Sequence, residues 1–339
     1  MRKIGLLGGS FDPIHEGHIH VALIVYNALN LDEVWFLPTV KTPLKDRGLA
    51  DIRHRAAMIR MIIKPYRNFK LSMIEEKNTV PSYSINTARL LHRMYPDDKF
   101  YWLIGSDVLD QLDHWKDIDE LKKLVTFICV QRDEEYRHED VMMIKGDIHP
   151  ASSTMVRNGD FTYIPENIRN YIMDNGLYCE SIARSTVSEK RWKHVVSVAE
   201  LCRQFAIGNG ADPDKAYRAG LLHDCAKDMD RPTAEAYMRI YHPDKMDLNY
   251  NIWHQYVGAS YLSRYFKLRD REILRAVEHH CLGDDDSLLS MIVYCADKLD
   301  PIRGYDSSSE IELCTGNIRE GFRLVHEEQD EYLRKEGVL

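Results

Sequence analysis

Along the first half of the chain, apolar residues fall in short runs set between helical stretches. Lys3–Leu7 reads as a buried strand and His18–Leu29 as a helix. Val34–Leu37 (VWFL) reads as a second strand, Arg53–Ile63 as a second helix and Ser84–Tyr95 as a third. Phe100–Ile104 (FYWLI) and Val125–Val130 (VTFICV) are the remaining strands. Runs of this length, closed by Gly, Pro or Asp and separated by helical periods, predict an α/β fold with a parallel sheet covered by helices. Ligands of such sheets bind at the carboxyl ends of the strands.

After residue 180 a helical period takes over, at 190–206, 212–227, 232–242, 252–266, 270–282, 287–300 and 310–335. This predicts an all-α second domain. The polar stretch NGLYCESIARSTVSEKRW, residues 175–192, is the expected seam, which divides the chain into domains 1–180 and 181–339. A length of 339 residues suits two cores and leaves room for two activities.

Composition narrows the class. With 44% hydrophobic and 29% charged residues the chain is globular. No stretch approaches the apolar run of a membrane helix, and no small-residue cleavage site follows a proper apolar core near Met1. A cytoplasmic protein without a membrane partner is therefore expected. A net charge of −8 argues against broad nucleic-acid coating, which requires a basic face. Mononucleotides remain open to it, since they need only local N–H donors and a few cations. The seven cysteines show no C-x-x-C spacing and read as buried free thiols. A homo-oligomer is compatible with this composition.

Candidate chemistry begins at GGSFDPIHEGH, Gly8 to His18. A strand, a glycine loop and a helix in succession make a phosphate cradle, because bare backbone approaches the ligand and the helix start offers unpaired N–H groups. His15 and His18 stand where imidazoles can donate to phosphate oxygens. In the second half, His194, His223, Asp224, His254, His280 and Asp297 attract notice. His194 shares a stripe with Val198 and Leu201, and His280 one with Ile273 and Val277, so both point inward. His279 instead lies with Glu272 and Arg275 on the polar face. Ionisable groups aimed inward from separate helices are costly unless they meet something, and a metal centre is the simplest partner.

GGSFDPIHEGH resembles the H-x-G-H signature of the nucleotidyltransferase superfamily that includes class I tRNA synthetases. More narrowly, residues 1–180 resemble the bacterial nicotinate mononucleotide adenylyltransferases, Rossmann-like enzymes that make deamido-NAD from ATP. The likeness runs through PTVKTPLK (Pro38–Lys45), PSYSINTARLL (Pro81–Leu91), WLIGSDVLDQLDHWKD (Trp102–Asp117), SSTMVR (Ser152–Arg157) and YIMDNGLY (Tyr171–Tyr178). Thr42-Pro43-Leu44-Lys45 stands where that family commonly has P-P-H-K. The resemblance implies that His15, His18 and Arg157 carry adenylyl transfer. It places Gly8, Gly9, Ser10, Phe11, Lys45, Ser153 and Thr154 around the ATP phosphates, with Mg²⁺ bridging phosphate oxygens. Gly105 and Asp107 would meet a ribose, although Asp107 reads equally as a helix cap. Trp115 would stack on the pyridine ring of nicotinate mononucleotide, and N–H groups at Ser84 and Ile85 would meet its carboxylate; a core role for Trp115 is the other reading. A pantetheine-phosphate adenylyltransferase or a cytidylyltransferase is the alternative, but these usually carry Thr at the position of His15 and lack the SYS and DHW elements.

The second half resembles the HD superfamily of metal-dependent phosphohydrolases, with pattern H…HD…D at His194, His223, Asp224 and Asp297. Within it, AGLLHDCAK (Ala219–Lys227), WHQYVGASYL (Trp253–Leu262) and VYCADKLDPIRG (Val293–Gly304) resemble the bacterial symmetrical diadenosine tetraphosphate hydrolases. This implies two metal ions held by His194, His223, Asp224, His254, His280 and Asp297, with Asp224 bridging them. Such donors suit iron, manganese or cobalt, with iron or manganese expected. Lys227, one turn along the helix from Asp224, and Arg303 would hold phosphates. A nucleotide-sensing HD module or a different HD phosphohydrolase is the alternative.

Overall fold

The computed structural model describes residues 1–40, 48–77, 83–131, 138–147 and 149–335. Packing divides the chain into two compact units, Met1–Val156 with Asp160–Ile168, and Arg157–Gly159 with Arg169–Leu339. In chain order the first unit contains β1 (Lys3–Gly9), α1 (Glu16–Leu29), β2 (Glu33–Pro38), α2 (Ile52–Ile63), β3 (Phe69–Leu71), α3 (Ser84–Met94), β4 (Lys99–Ile104), α4 (Ile118–Leu124), β5 (Thr126–Gln131) and β6 (Val141–Lys145). α5 (Ser153–Arg157) and α6 (Glu166–Asp174) follow, and the division falls inside α6.

All strand pairings are parallel, in the order β3-β2-β1-β4-β5-β6. Four strands were expected where six form among the described residues. The interior strands carry unbroken buried runs such as Val34–Pro38, which is what a sheet covered on both faces demands. α3 lays Ile85, Ala88 and Leu91 into a cluster with Leu6, Trp102 and Phe127. α1 buries Ile19, Ala22 and Val25. Because the chain starts in the middle of the sheet and builds outward in both directions, the ends of β1 and β4 part and leave a crevice.

The second unit is helical. α7 (Cys179–Ser185) and α8 (Glu189–Gly208) occupy most of the stretch expected as a polar seam. Cys179, Ile182 and Ala183 are buried at helical spacing, which accounts for the helix there. The remaining helices are α9 (Pro213–Leu222), α10 (Arg231–Tyr241), α11 (Trp253–Arg264), α12 (Arg271–His279), α13 (Leu288–Lys298), α14 (Ser308–Gly316) and α15 (Ile318–Lys335). Asp212, Asp230 and Asp270 cap α9, α10 and α12 by accepting first-turn N–H groups. α8 and α9 approach so closely that a Cβ on Gly220 would lie 2.6 Å from the Cα of Ala199. Among the described residues no helix is long and apolar enough to cross a membrane.

Candidate active sites

The crevice between β1 and β4 is a cavity of about 710 Å³. Gly8, Gly9 and Ser10 line it from the end of β1, His15 and His18 from the start of α1, and Gly105 from the end of β4. Ser84, Trp115 and Ser153 line it as well. His15 is the N-cap of α1 in extended conformation, and its N–H donates to Nδ1 of His18 at 3.3 Å. With Nδ1 accepting, the ring proton of His18 sits on Nε2 as a donor. The two imidazoles lie 3.8 Å apart. His15 is buried, its Nδ1 has no hydrogen-bond partner, and burial pushes its pKa down to about 4. At neutral pH it is therefore an uncharged imidazole.

The other expected residues sort by placement. Phe11 is buried and sets its ring edge-on to His18 at 5.0 Å, so it supports that imidazole from below the loop. The Ser153 hydroxyl donates to the carbonyl of Pro13 at 2.8 Å, tying α5 to the loop, while Thr154 is exposed. Trp115 packs edge-on to Phe127 at 6.0 Å and also lines the cavity. Ile85 is buried in the core, in the first turn of α3, and is not among the residues lining the cavity. Gly105 caps the 3-10 stretch Ser106–His114, a place where Asp107 was one candidate. Arg157 closes α5 and groups with the helical unit. Lys45 lies outside the described residues.

Two contributors to this site escaped the sequence reading. Arg55 is 1% exposed and donates to the carbonyls of Ser10 at 2.7 Å, Thr39 at 2.8 Å and Ala50 at 2.8 Å. It thus clamps the loops after β1 and β2. Its place on the α2 stripe with Ile59 and Ile62 was the available signal, since an arginine on a buried face needs partners. His149 also lines the cavity, with Nδ1 accepting the N–H of Ala151 at 3.2 Å.

In the helical unit, the six expected ligands converge. α9 ends at Leu222 and α12 at His279, so His223 and His280 are the C-cap residues where continuous helices were expected. The reason is local. Carbonyls of the last turn lack helical partners, and Gly220 and Val277 accept the Nδ1–H groups of His223 and His280 at 2.6 and 2.7 Å. His254 repeats the device on the carbonyl of Asn251 at 2.8 Å. His194 Nδ1 is held instead by Asp300 at 2.6 Å. All four imidazoles are fixed through Nδ1, which presents every Nε2 to one centre.

The donors form two groups that share Asp224. One oxygen, Oδ2, lies 3.9 Å from His194 Nε2 and 3.7 Å from His223 Nε2. Asp297 Oδ1 closes this group, 3.2 Å from His194 and 3.9 Å from His223. The other oxygen, Oδ1, lies 3.2 Å from His254 Nε2 and 3.6 Å from His280 Nε2. The fully buried Nε2 of His223 has no hydrogen-bond partner, an orphan that a metal ion would satisfy. Burial lowers the His223 pKa to about 4. Burial also pulls His194 down, but Asp297 and Asp300 hold it up at about 9. His280 likewise rises to about 10 against burial, through Cys281 and Asp224. Burial would raise both carboxyls, yet the imidazoles around Asp224 and Lys298 beside Asp297 hold both well below the usual range.

The flanking cations are committed to this centre. Arg303 donates to Asp297 Oδ1 at 2.6 Å, and Lys227 Nζ lies 3.2 Å from His254 Nδ1 in the turn after α9. Arg191, not foreseen, donates to Asp224 Oδ2 at 2.7 Å; its position one turn before His194 was the signal. His279 lies outside, paired with Asp284 at 2.7 Å. Cys281 was read with the other cysteines as a buried thiol, but it is only partly buried, and its Sγ lies 3.2 Å from His254 Nε2 and 3.4 Å from His280 Nε2.

Comparison with known proteins follows the same division. Residues 6–159 match the cytidylyltransferase-like family and residues 191–302 match the HD domain. A Mycoplasma genitalium protein named probable nicotinate-nucleotide adenylyltransferase/Ap4A hydrolase is 32% identical over 96% of this chain and 97% of its own. A Mycoplasma pneumoniae protein of the same name is 29% identical over 94% and 97%. The Bacillus subtilis nicotinate-nucleotide adenylyltransferase is 36% identical, covering 52% of this chain and 99% of its own.

Proposed function

The chain belongs to the family of two-domain nicotinate-nucleotide adenylyltransferase/Ap4A hydrolases, and from that premise we propose how its two sites divide the work. The first unit transfers the adenylyl group of ATP to nicotinate mononucleotide, giving deamido-NAD and pyrophosphate. The observation that carries this is the cavity at the ends of β1 and β4, which joins the glycine loop and His18 to Trp115 and the start of α3. The phosphate of nicotinate mononucleotide attacks the α-phosphorus of ATP in line, so no nucleophilic side chain is needed. His18 donates through Nε2–H and neutral His15 stands beside it, both at the N-terminus of α1, where developing phosphate charge is best met. Arg157 and Lys45 add cationic partners, Ser153 and Thr154 open α5 toward the phosphates, and Mg²⁺ arriving with ATP would neutralise phosphate charge. Trp115 stacks on the pyridine ring and first-turn N–H groups at Ser84 and Ile85 receive its carboxylate.

The second unit hydrolyses diadenosine tetraphosphate symmetrically to two ADP. The carrying observation is Asp224, whose two oxygens face two separate imidazole groups. His194, His223 and Asp297 would hold one divalent ion and His254 and His280 the other, and iron or manganese suits these nitrogen and oxygen donors. When bound, the pair supplies water activated at neutral pH and neutralises charge on the polyphosphate. Asp300 and the carbonyls of Gly220, Asn251 and Val277 keep the four rings oriented. Arg303 and Lys227 stand at the rim to take phosphate oxygens.

Crossed substitutions in the full-length protein test this assignment. Asp224→Ala should abolish diadenosine tetraphosphate hydrolysis and spare adenylyl transfer, while His18→Ala should lower adenylyl transfer by about 100-fold or more and spare hydrolysis. Loss of both activities in either variant contradicts two separate sites. Turnover of phosphopantetheine as fast as nicotinate mononucleotide would reject the first substrate.

A further inference from the structure

We propose that Cys281 is a thiolate ligand of the second metal position, which makes the two ions of the helical unit chemically unequal. The inference rests on the dinuclear reading above and adds a donor to it. Five distances define the group: His254 Nε2 to His280 Nε2 at 3.2 Å, Cys281 Sγ to these nitrogens at 3.2 and 3.4 Å, and Asp224 Oδ1 to the same nitrogens at 3.2 and 3.6 Å. A tetrahedral ion held about 2.0 Å from nitrogen and oxygen and about 2.3 Å from sulfur separates its donors by about 3.3–3.6 Å. Five of the six edges of such a tetrahedron are thus already close to length.

The surroundings point the same way. His254 and His280 are 8% and 1% exposed, so two buried nitrogens face the sulfur of the partly buried Cys281. Both rings are anchored through Nδ1 to backbone carbonyls, which leaves Nε2 as the coordinating atom. His280 and Cys281 follow the end of α12 in a turn, and this lets neighbours in sequence aim at one point. On coordination the thiol releases its proton to solvent and the sulfur binds as thiolate, with no change of oxidation state.

The consequence is selectivity. The position shared by His194, His223 and Asp297 offers nitrogen and carboxylate alone, whereas its neighbour adds a soft sulfur. Soft donors favour zinc, iron(II) or cobalt(II) over manganese and magnesium, so the two positions should fill with different preferences.

Cobalt(II) alone, titrated into metal-stripped full-length protein, is the test. Two equivalents should bind, and one of them should bring a thiolate-to-cobalt charge-transfer band in the near ultraviolet. Cys281→Ser should lose that band while still binding cobalt at the His194 and His223 position. Two bound cobalt ions without the band, or a band that survives in Cys281→Ser, would overturn thiolate ligation and leave the dinuclear centre standing. Failure of the wild-type protein to bind cobalt at all overturns the centre itself and this inference with it. Should the serine variant not fold, X-ray absorption of the cobalt-loaded wild type decides. One sulfur scatterer at about 2.3 Å per two ions supports the assignment, and nitrogen and oxygen scatterers alone refute it.

Discussion

His15 shows how one residue joins folding to chemistry. As the N-cap of α1 it is 7% exposed, and burial holds its pKa near 4 where an unfolded chain titrates at an ordinary 6.5. Between those values the unfolded chain binds the extra proton. Stability due to this residue is therefore full above 6.5 and is lost as pH falls toward 4. The same neutrality keeps His15 a hydrogen-bonding group at working pH, leaving cationic contacts to lysine and arginine. Replacing it by Asn removes the titration while keeping a polar side chain. Urea midpoints followed from pH 7 to pH 4.5 should fall less steeply for His15→Asn than for the wild type, and parallel slopes would refute the buried neutral imidazole. His223, also pushed to about 4 by burial, titrates in both proteins and so cancels from the difference.

At the level of elements, the helical unit works because helix ends meet. His223 and His280 are C-caps, His254 is the second residue of α11, and Asp297 is the last but one of α13. α8 brings His194 to this cluster by packing directly on α9, where Gly220 allows backbone contact. Gly220→Ala should push the two helices apart by the width of a methyl group, lowering stability by about 1–3 kcal/mol and metal occupancy with it. Calorimetry with metal analysis checks both; unchanged stability would mean that the helices are free to shift. Much of this layout was legible beforehand. The inward stripes of His194 and His280 were helical periodicity, and the interior strands β1, β2, β4 and β5 were apolar runs. The edge strands β3 and β6 were not, because an edge needs less apolar cover: β3 is three residues with one buried, and β6 buries only Val141. The single pattern expected over 310–335 breaks at Asn317, where Ile318 N–H turns to the side chain of Asn209. Cys281 was hidden for a related reason. On a continuing helix, adjacent residues point about 100° apart, so only the end of α12 lets residues 280 and 281 share a target.

Across the whole molecule, the proposed reading gives two phosphate chemistries different metal demands. Adenylyl transfer moves a group between phosphate oxygens that gather their own hard cation, and the first unit offers it backbone donors and imidazoles around the cavity. In the proposed centre, hydrolysis in the helical unit would draw on ions held among four imidazoles, two carboxylates and a thiol. Those donors prefer transition metals, because imidazole and sulfur gain little from magnesium, which keeps its waters and oxygen ligands. The two activities should accordingly separate by metal in a single intact chain. After chelation and removal of the chelator, Mg²⁺ alone should restore deamido-NAD formation in full while diadenosine tetraphosphate hydrolysis stays absent. Adding iron(II) or cobalt(II) should return hydrolysis without altering adenylyl transfer at saturating Mg²⁺. Recovery of both activities on Mg²⁺ alone would show that the imidazole nest does not select its ions. That outcome would also remove the physical reason for placing four histidines with their Nε2 atoms around Asp224.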